Sequence, residues 1–154
     1  MAGPIKGAPN WQDNAIELIL DLEPSLFIAS PRWEVSDKIS KYVIKGDNEY
    51  FHRARAWERY YFDLALEKGC VMFWLPTEQQ HKCDKVYWAM TGFELGIINA
   101  RYGVDKSLRF CIGTDGGFSE FRTIQYDLSI DAPGKLIFSN LEDTCREAIS
   151  LVDG

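Results

Sequence analysis

The chain has 154 residues, 46% apolar, 26% charged and 14% aromatic, with a formal net charge of −6. That length suits one domain spanning residues 1–154 with a full core, and the composition is that of a globular protein rather than a disordered or fibrous one. The negative charge argues against a nucleic-acid polymer as partner, which needs a basic face, although a few arginines in one pocket can still hold a small anion.

In chain order, Ala2-Gly3-Pro4-Ile5-Lys6-Gly7 forms a glycine- and proline-rich start. Most such stretches are plain loops, but ahead of a helix in an α/β domain their backbone N–H groups can approach a sugar or phosphate. Asn10 and Asp13 read as a cap and first-turn acid for a helix over Trp11 to Leu22, with Trp11, Ala15, Leu18 and Leu22 as its apolar stripe. Ser25 to Ser30 reads as a strand stopped by Pro31, and the polar stretch Glu34 to Asp47 as a long active-site loop or short helix. A strong helix is predicted from Glu49 to Lys68, closed by Gly69.

Cys70 to Leu75 is a continuous apolar strand, of the kind buried on both faces, ending at Pro76. A polar loop over residues 77–87 leads to a helix that carries Glu94 in its first turn and runs to about Tyr102, with Gly103 closing it. Leu108 to Ile112 is the next strand, followed by a loop through Gly113, Gly116 and Gly117. No element is assigned from there to a last strand at Leu136 to Phe138. Ser139 and Glu142 make a capping box for a final helix, Leu141 to Val152.

Strands alternating with helices predict an α/β parallel sheet with helices on both faces, and in such sheets ligands bind beyond the carboxyl ends of the strands. No run reaches transmembrane length and the start lacks a signal-peptide core, so a cytoplasmic protein without a membrane partner is expected. Cys70, Cys83, Cys111 and Cys145 lack CxxC spacing and read as reduced thiols. With only His52 and His81 beside them, neither a metal nor another cofactor is expected.

Glu94 is the most informative residue. At about 100° per residue, Met90, Ile97 and Ile98 fall within about 60° of it, so a carboxylate lies on a core-facing stripe. Such a group costs several kcal/mol unless it is satisfied or used. Near a helix start the macrodipole helps to keep it ionised, and an oriented, dehydrated carboxylate is a good covalent nucleophile. Glu58 is the second misfit. It falls near the centre of the stripe Phe51, Ala54, Tyr61, Phe62 and Ala65, with Trp57 on the flank, as a buried acceptor or a site residue. Two acids at one cleft suit chemistry on a glycosidic bond.

The remaining candidates carry two readings each. Arg32, beside Trp33, is a surface arginine or a ligand for an anion; Arg122 is the same, more weakly. Arg53, Arg55 and Arg59 read as a solvated helix face. Trp74 stacks a base or packs in the core, while Asp84, Tyr87 and Thr91 are near enough in sequence to line a pocket around Glu94.

These motifs come in an order that resembles the nucleoside 2-deoxyribosyltransferase-like family. The set is Ala2-Gly3-Pro4-Ile5, Asn10-Trp11-Gln12, Ser30-Pro31-Arg32, Trp57-Glu58, Phe73-Trp74-Leu75-Pro76, Glu94-Leu95-Gly96, and Gly117-Phe118 with Arg122. The resemblance implies a flavodoxin-like (Rossmann-type) domain, usually oligomeric, in which the glutamate matching Glu94 attacks C1′ of a nucleoside and a carboxylate matching Glu58 places the ligand. Gly3 with Arg32 would then line the sugar or phosphate side, with Pro4 and Trp33 also among the substrate-binding residues.

The chain departs from that pattern twice. Only Met1 precedes Ala2 where the family has a complete first strand, so that strand is expected to be shortened or missing. Trp88 to Phe93 contains no base-reading acid, and Asp84 is the nearest, ten residues upstream of Glu94. The expected function is cleavage or transfer of an N-glycosidic bond of a (deoxy)nucleoside or nucleotide by a homodimer or higher homo-oligomer. The alternatives are a catalytically silent nucleotide-binding module and a glycohydrolase of NAD or a signalling nucleotide.

Overall fold

A computed structural model of the protein describes residues 1–32 and 51–153. Trp33, the segment Glu34 to Asp47 and the expected helix start at Glu49 lie outside the described residues. The elements in order are α1 (Trp11–Leu22), α2 (Phe51–Lys68), β1 (Val71–Leu75), α3 (Ala89–Val104), β2 (Phe110–Thr114), α4 (Phe121–Asp131), β3 (Ile137–Phe138) and α5 (Leu141–Asp153). The strands form a parallel sheet in the order β1-β2-β3, with Val71 opposite Phe110 and Ile112 opposite Ile137. Helices cover both faces, so the α/β class read from the sequence holds.

Alternation along β1 sorts its side chains between two cores. Val71, Phe73 and Leu75 face Leu66 of α2, Leu95 and Ile98 of α3, and Leu128 of α4. Met72 and Trp74 face Trp11, Ala15 and Ile19 of α1, and Cys145 and Ala148 of α5. Every residue of β1 and β2 is buried, which is why both read as unbroken apolar runs rather than alternating ones. Gly113 sits inside β2 because α5 comes close: a Cβ there would lie 2.0 Å from Thr144 Oγ1 and 2.8 Å from the Trp74 ring.

Several expectations are corrected. Ser25 to Ser30 forms no strand. A strand needs a neighbour, and the position beside β1 holds only an isolated parallel bridge, Ala2 opposite Phe73, with Ala2 N donating to Met72 O at 2.8 Å and Trp74 N to Ala2 O at 3.1 Å. The extended segment keeps one tie across that position, Met1 N to Ala29 O at 2.8 Å. Beside β1 the chain thus makes a single bridge at Ala2, and a single bridge offers the segment Ser25 to Ser30 no ladder.

Helix ends also differ. Gly103 lies within α3, which continues to Val104. Asn140, not Ser139, caps α5: its Oδ1 accepts from Asp143 N at 2.8 Å. Asn10 bonds the Asp13 carboxylate rather than a helix amide. Helix α4 was not anticipated, although Phe121, Ile124 and Leu128 carry its i, i+3, i+7 signal and pack on the core. No helix among the described residues is long and apolar enough to cross a membrane.

Candidate active site

A cavity of about 1080 Å³ opens beyond the carboxyl end of β1. The loop after Ala2, the loop after Pro76 and the facing sides of α2 and α3 enclose it. From there it runs back along β1 to Cys70 and Val71, where Leu26, Ile28 and Ile149 make its walls apolar.

Glu94 and Glu58 both line this cavity, from different helices. Between them stands Arg55: its Nη1 donates to Glu58 Oε2 at 2.5 Å and to Glu94 Oε1 at 3.5 Å. The Glu94 side chain is 20% exposed and that of Arg55 24%. Burial pushes the Glu94 carboxyl above its ordinary value, against the pull of the Arg55 charge and hydrogen bond, with the Glu58 charge adding to the rise. Burial of Arg55 is outweighed by its two carboxylates, so its guanidinium is held more firmly protonated than usual.

This corrects two expectations. Glu94 sits in the second turn of α3, which begins at Ala89, so the carboxyl is governed by burial and Arg55 rather than by the helix start. Arg55 belongs to the site and not to a solvated face. The signal was present: Arg55 and Glu58 are three apart on one helix, and such pairs share a face.

Other predicted residues are brought together here. Gly3 and Pro4 line the cavity, and Pro4 O accepts from Trp11 Nε1 at 2.9 Å, which fixes the turn. Gly3 cannot carry a side chain, since a Cβ would fall 2.3 Å from Trp74 O. Thr91, buried one turn before Glu94, and Tyr87 line the same space. Tyr87 donates to Pro76 O at 3.0 Å, and burial followed by the Asp115 and Glu78 charges raises its phenol. Trp57 and Tyr61, with ring centroids 4.8 Å apart, form an aromatic wall, and Phe27 stacks on Tyr61 at 5.6 Å.

Four candidates are not brought in. Trp74 points to the opposite face of the sheet and packs in the α1/α5 core, because even positions of β1 face that way. Arg32 Nη1 donates to Gln12 Oε1 at 2.9 Å, and among the described residues it is its neighbour Pro31 that lines the cavity. Arg122 lies on an exposed position of α4, away from the cavity wall. Asp84 is exposed and likewise off the wall; among the described residues it is Glu78 that this loop brings to the cavity. Trp33 lies outside the described residues.

Motif Gly117-Phe118 proves structural. Phe118 is buried under the rings of Tyr87 and Trp88, and Asp115 clamps the loops after β1 and β2 by accepting from Thr77 N, Thr77 Oγ1 and Gly117 N.

No family model, no curated protein and no solved structure matches the chain.

Proposed function

We propose that the protein cleaves or transfers the N-glycosidic bond of a (deoxy)nucleoside or nucleotide, with Glu94 as nucleophile. The observation that carries this reading is the Glu58–Arg55–Glu94 bridge on the wall of a cavity large enough to admit a nucleotide, beside a parallel sheet. Through Arg55 the two carboxylate oxygens stand no more than about 6 Å apart, a spacing that admits the roughly 5–5.5 Å of glycosidases working through a covalent intermediate. The ordered motifs that resemble the deoxyribosyltransferase-like family support the same chemistry.

In the proposed reaction a Glu94 carboxylate oxygen attacks C1′. The C1′–N bond breaks, its electron pair leaves with the base, and the base takes a proton from solvent. The glycosyl ester is resolved by water, which is hydrolysis, or by the nitrogen of a second base, which is transfer. In either case the C1′–O bond to Glu94 breaks and the carboxylate is restored. Arg55 keeps Glu94 ionised before attack, Glu58 holds a sugar hydroxyl, and Trp57 with Tyr61 stacks the base. The reading includes a cytoplasmic homo-oligomer, with sedimentation equilibrium as the check on assembly.

The test is chromatography of nucleosides, 5′-monophosphates and NAD incubated with wild type and with Glu94→Ala. Free base formed by wild type alone supports the reading and names the substrate; nicotinamide from NAD would redirect it to a glycohydrolase of that dinucleotide. A silent binding module is the second reading, favoured by Arg55 already engaging a Glu94 oxygen. Thermal stabilisation by a nucleotide without product would select it.

A further inference from the structure

The cavity wall carries four lysines that the proposed chemistry does not use: Lys68, in the last turn of α2, and three that come from two loops. Lys6 comes from the loop after Ala2, and Lys82 and Lys85 come from the loop after Pro76. Two backbone hydrogen bonds tie these loops: Gln79 N and Gln80 N both donate to Gly7 O, at 2.8 and 3.0 Å. Gly7 has φ +88°, and a Cβ there would meet Gln80 O at 2.7 Å, so only glycine permits this approach. Lys85 N donates to Lys82 O at 3.0 Å, closing a turn with a lysine at each end. The backbones bearing all three ammonium groups are therefore held together although the side chains are exposed.

Solvated lysines are ordinary on a protein surface, but these converge, in a chain whose net charge is −6. The other cavity-lining charges near the reaction centre are engaged: Arg55 with Glu58 and Glu94, and Glu78 with His81 at 3.2 Å. No ion pair engages Lys6, Lys82 or Lys85 among the described residues. The contact with Lys85, then its charge, slight burial and the Lys82 charge, hold the Lys6 ammonium below its ordinary value, with Asp84 acting the other way. Like charges gathered at a cavity mouth are relieved by an anion, and a phosphate dianion offers an acceptor oxygen to each ammonium.

We propose that Lys6, Lys82 and Lys85 form an anion subsite that takes the phosphate of a nucleoside 5′-phosphate, making a nucleotide rather than a free nucleoside the preferred ligand of the cavity. The choice of ligand rests on the reading of Glu94 and its cavity given above; the anion subsite itself does not require Glu94 to react.

The test is calorimetric titration of Glu94→Gln, which cannot form the glycosyl ester, with inorganic phosphate, a set of nucleosides and their 5′-monophosphates. The same titrations follow in Glu94→Gln carrying Lys6→Gln, Lys82→Gln and Lys85→Gln together, and in each lysine variant singly. The expected result is a monophosphate bound about 10- to 100-fold more tightly than its nucleoside. Inorganic phosphate should compete, and the triple variant should erase the preference while keeping the circular dichroism spectrum of its parent. Equal affinity for nucleoside and monophosphate, or a preference untouched in the folded triple variant, overturns the subsite. If wild type releases no base while the lysine-dependent preference persists, the glycosidic reading fails and the subsite stands.

Discussion

Arg55 on α2 reaches Glu94 on α3, with Nη1 3.5 Å from Oε1, while the same nitrogen holds Glu58. One cation thus serves two carboxylates from two helices. Neither acid is left uncompensated in the cavity wall, and it is removal of the shared Arg55, rather than of either acid, that would strand a charge.

Glu94→Gln should lower turnover at least about 1,000-fold, because the amide cannot form the ester. The fold should survive, and its melting temperature at neutral pH should be unchanged or raised, since a half-buried charge is removed. Activity assays beside thermal melts check both halves; a fully active Glu94→Gln would end the nucleophile assignment.

The pH profile carries a signed expectation. Glu94 is raised by burial first, so the acid limb of activity should lie above the usual glutamate value of about 4.3. Arg55→Met removes the two larger influences that lower it and leaves burial and Glu58 opposed only by the weaker charge of the Met1 ammonium, so the limb should move up. A native state that binds this proton more tightly than the unfolded chain gains stability as pH falls through the folded value, and loses that gain above it. Urea midpoints followed from neutral pH into the acid range should show this gain in wild type and not in Glu94→Gln.

Two glycine substitutions should act in opposite directions. Gly3→Ala places a Cβ against Trp74 O and the Trp11 ring at a φ of +154°, and should cost more than about 1–3 kcal/mol. Gly103→Ala, inside α3 with open space where its Cβ would lie, should stabilise by roughly 0.5–1 kcal/mol. Denaturant titration of the pair reads both signs against one wild-type curve.

Trp57→Leu tests the aromatic wall. Loss of a base-stacking ring worth about 1–3 kcal/mol should raise KM roughly 10-fold or more while kcat changes less. A kcat loss with KM unchanged would instead place Trp57 in support of Glu58, its neighbour on α2.

The sequence by itself determined the alternation of helices and strands and the two apolar strands at the centre of the sheet. It also singled out Glu94 and Glu58, because periodicity and an out-of-place carboxylate are local properties of the chain. Glycine and proline marked the Gly3-Pro4 turn and the ends of β1. Only the tertiary structure decided what those acids meet. Arg55 read as a surface cation until α2 packed beside α3 and turned it inward. Trp74 read equally as a ligand platform or a core residue until the register of β1 sent its ring to the other face. Lys6 lies 76 positions before Lys82 in the sequence, and contacts made in the fold, the Gly7 hydrogen bonds among them, bring their loops together. The same holds for Ser25 to Ser30, whose composition suits a strand but whose neighbour offers one bridge instead of a ladder. Pairing and electrostatics between distant segments depend on which surfaces pack together, and that is a property of the fold as a whole.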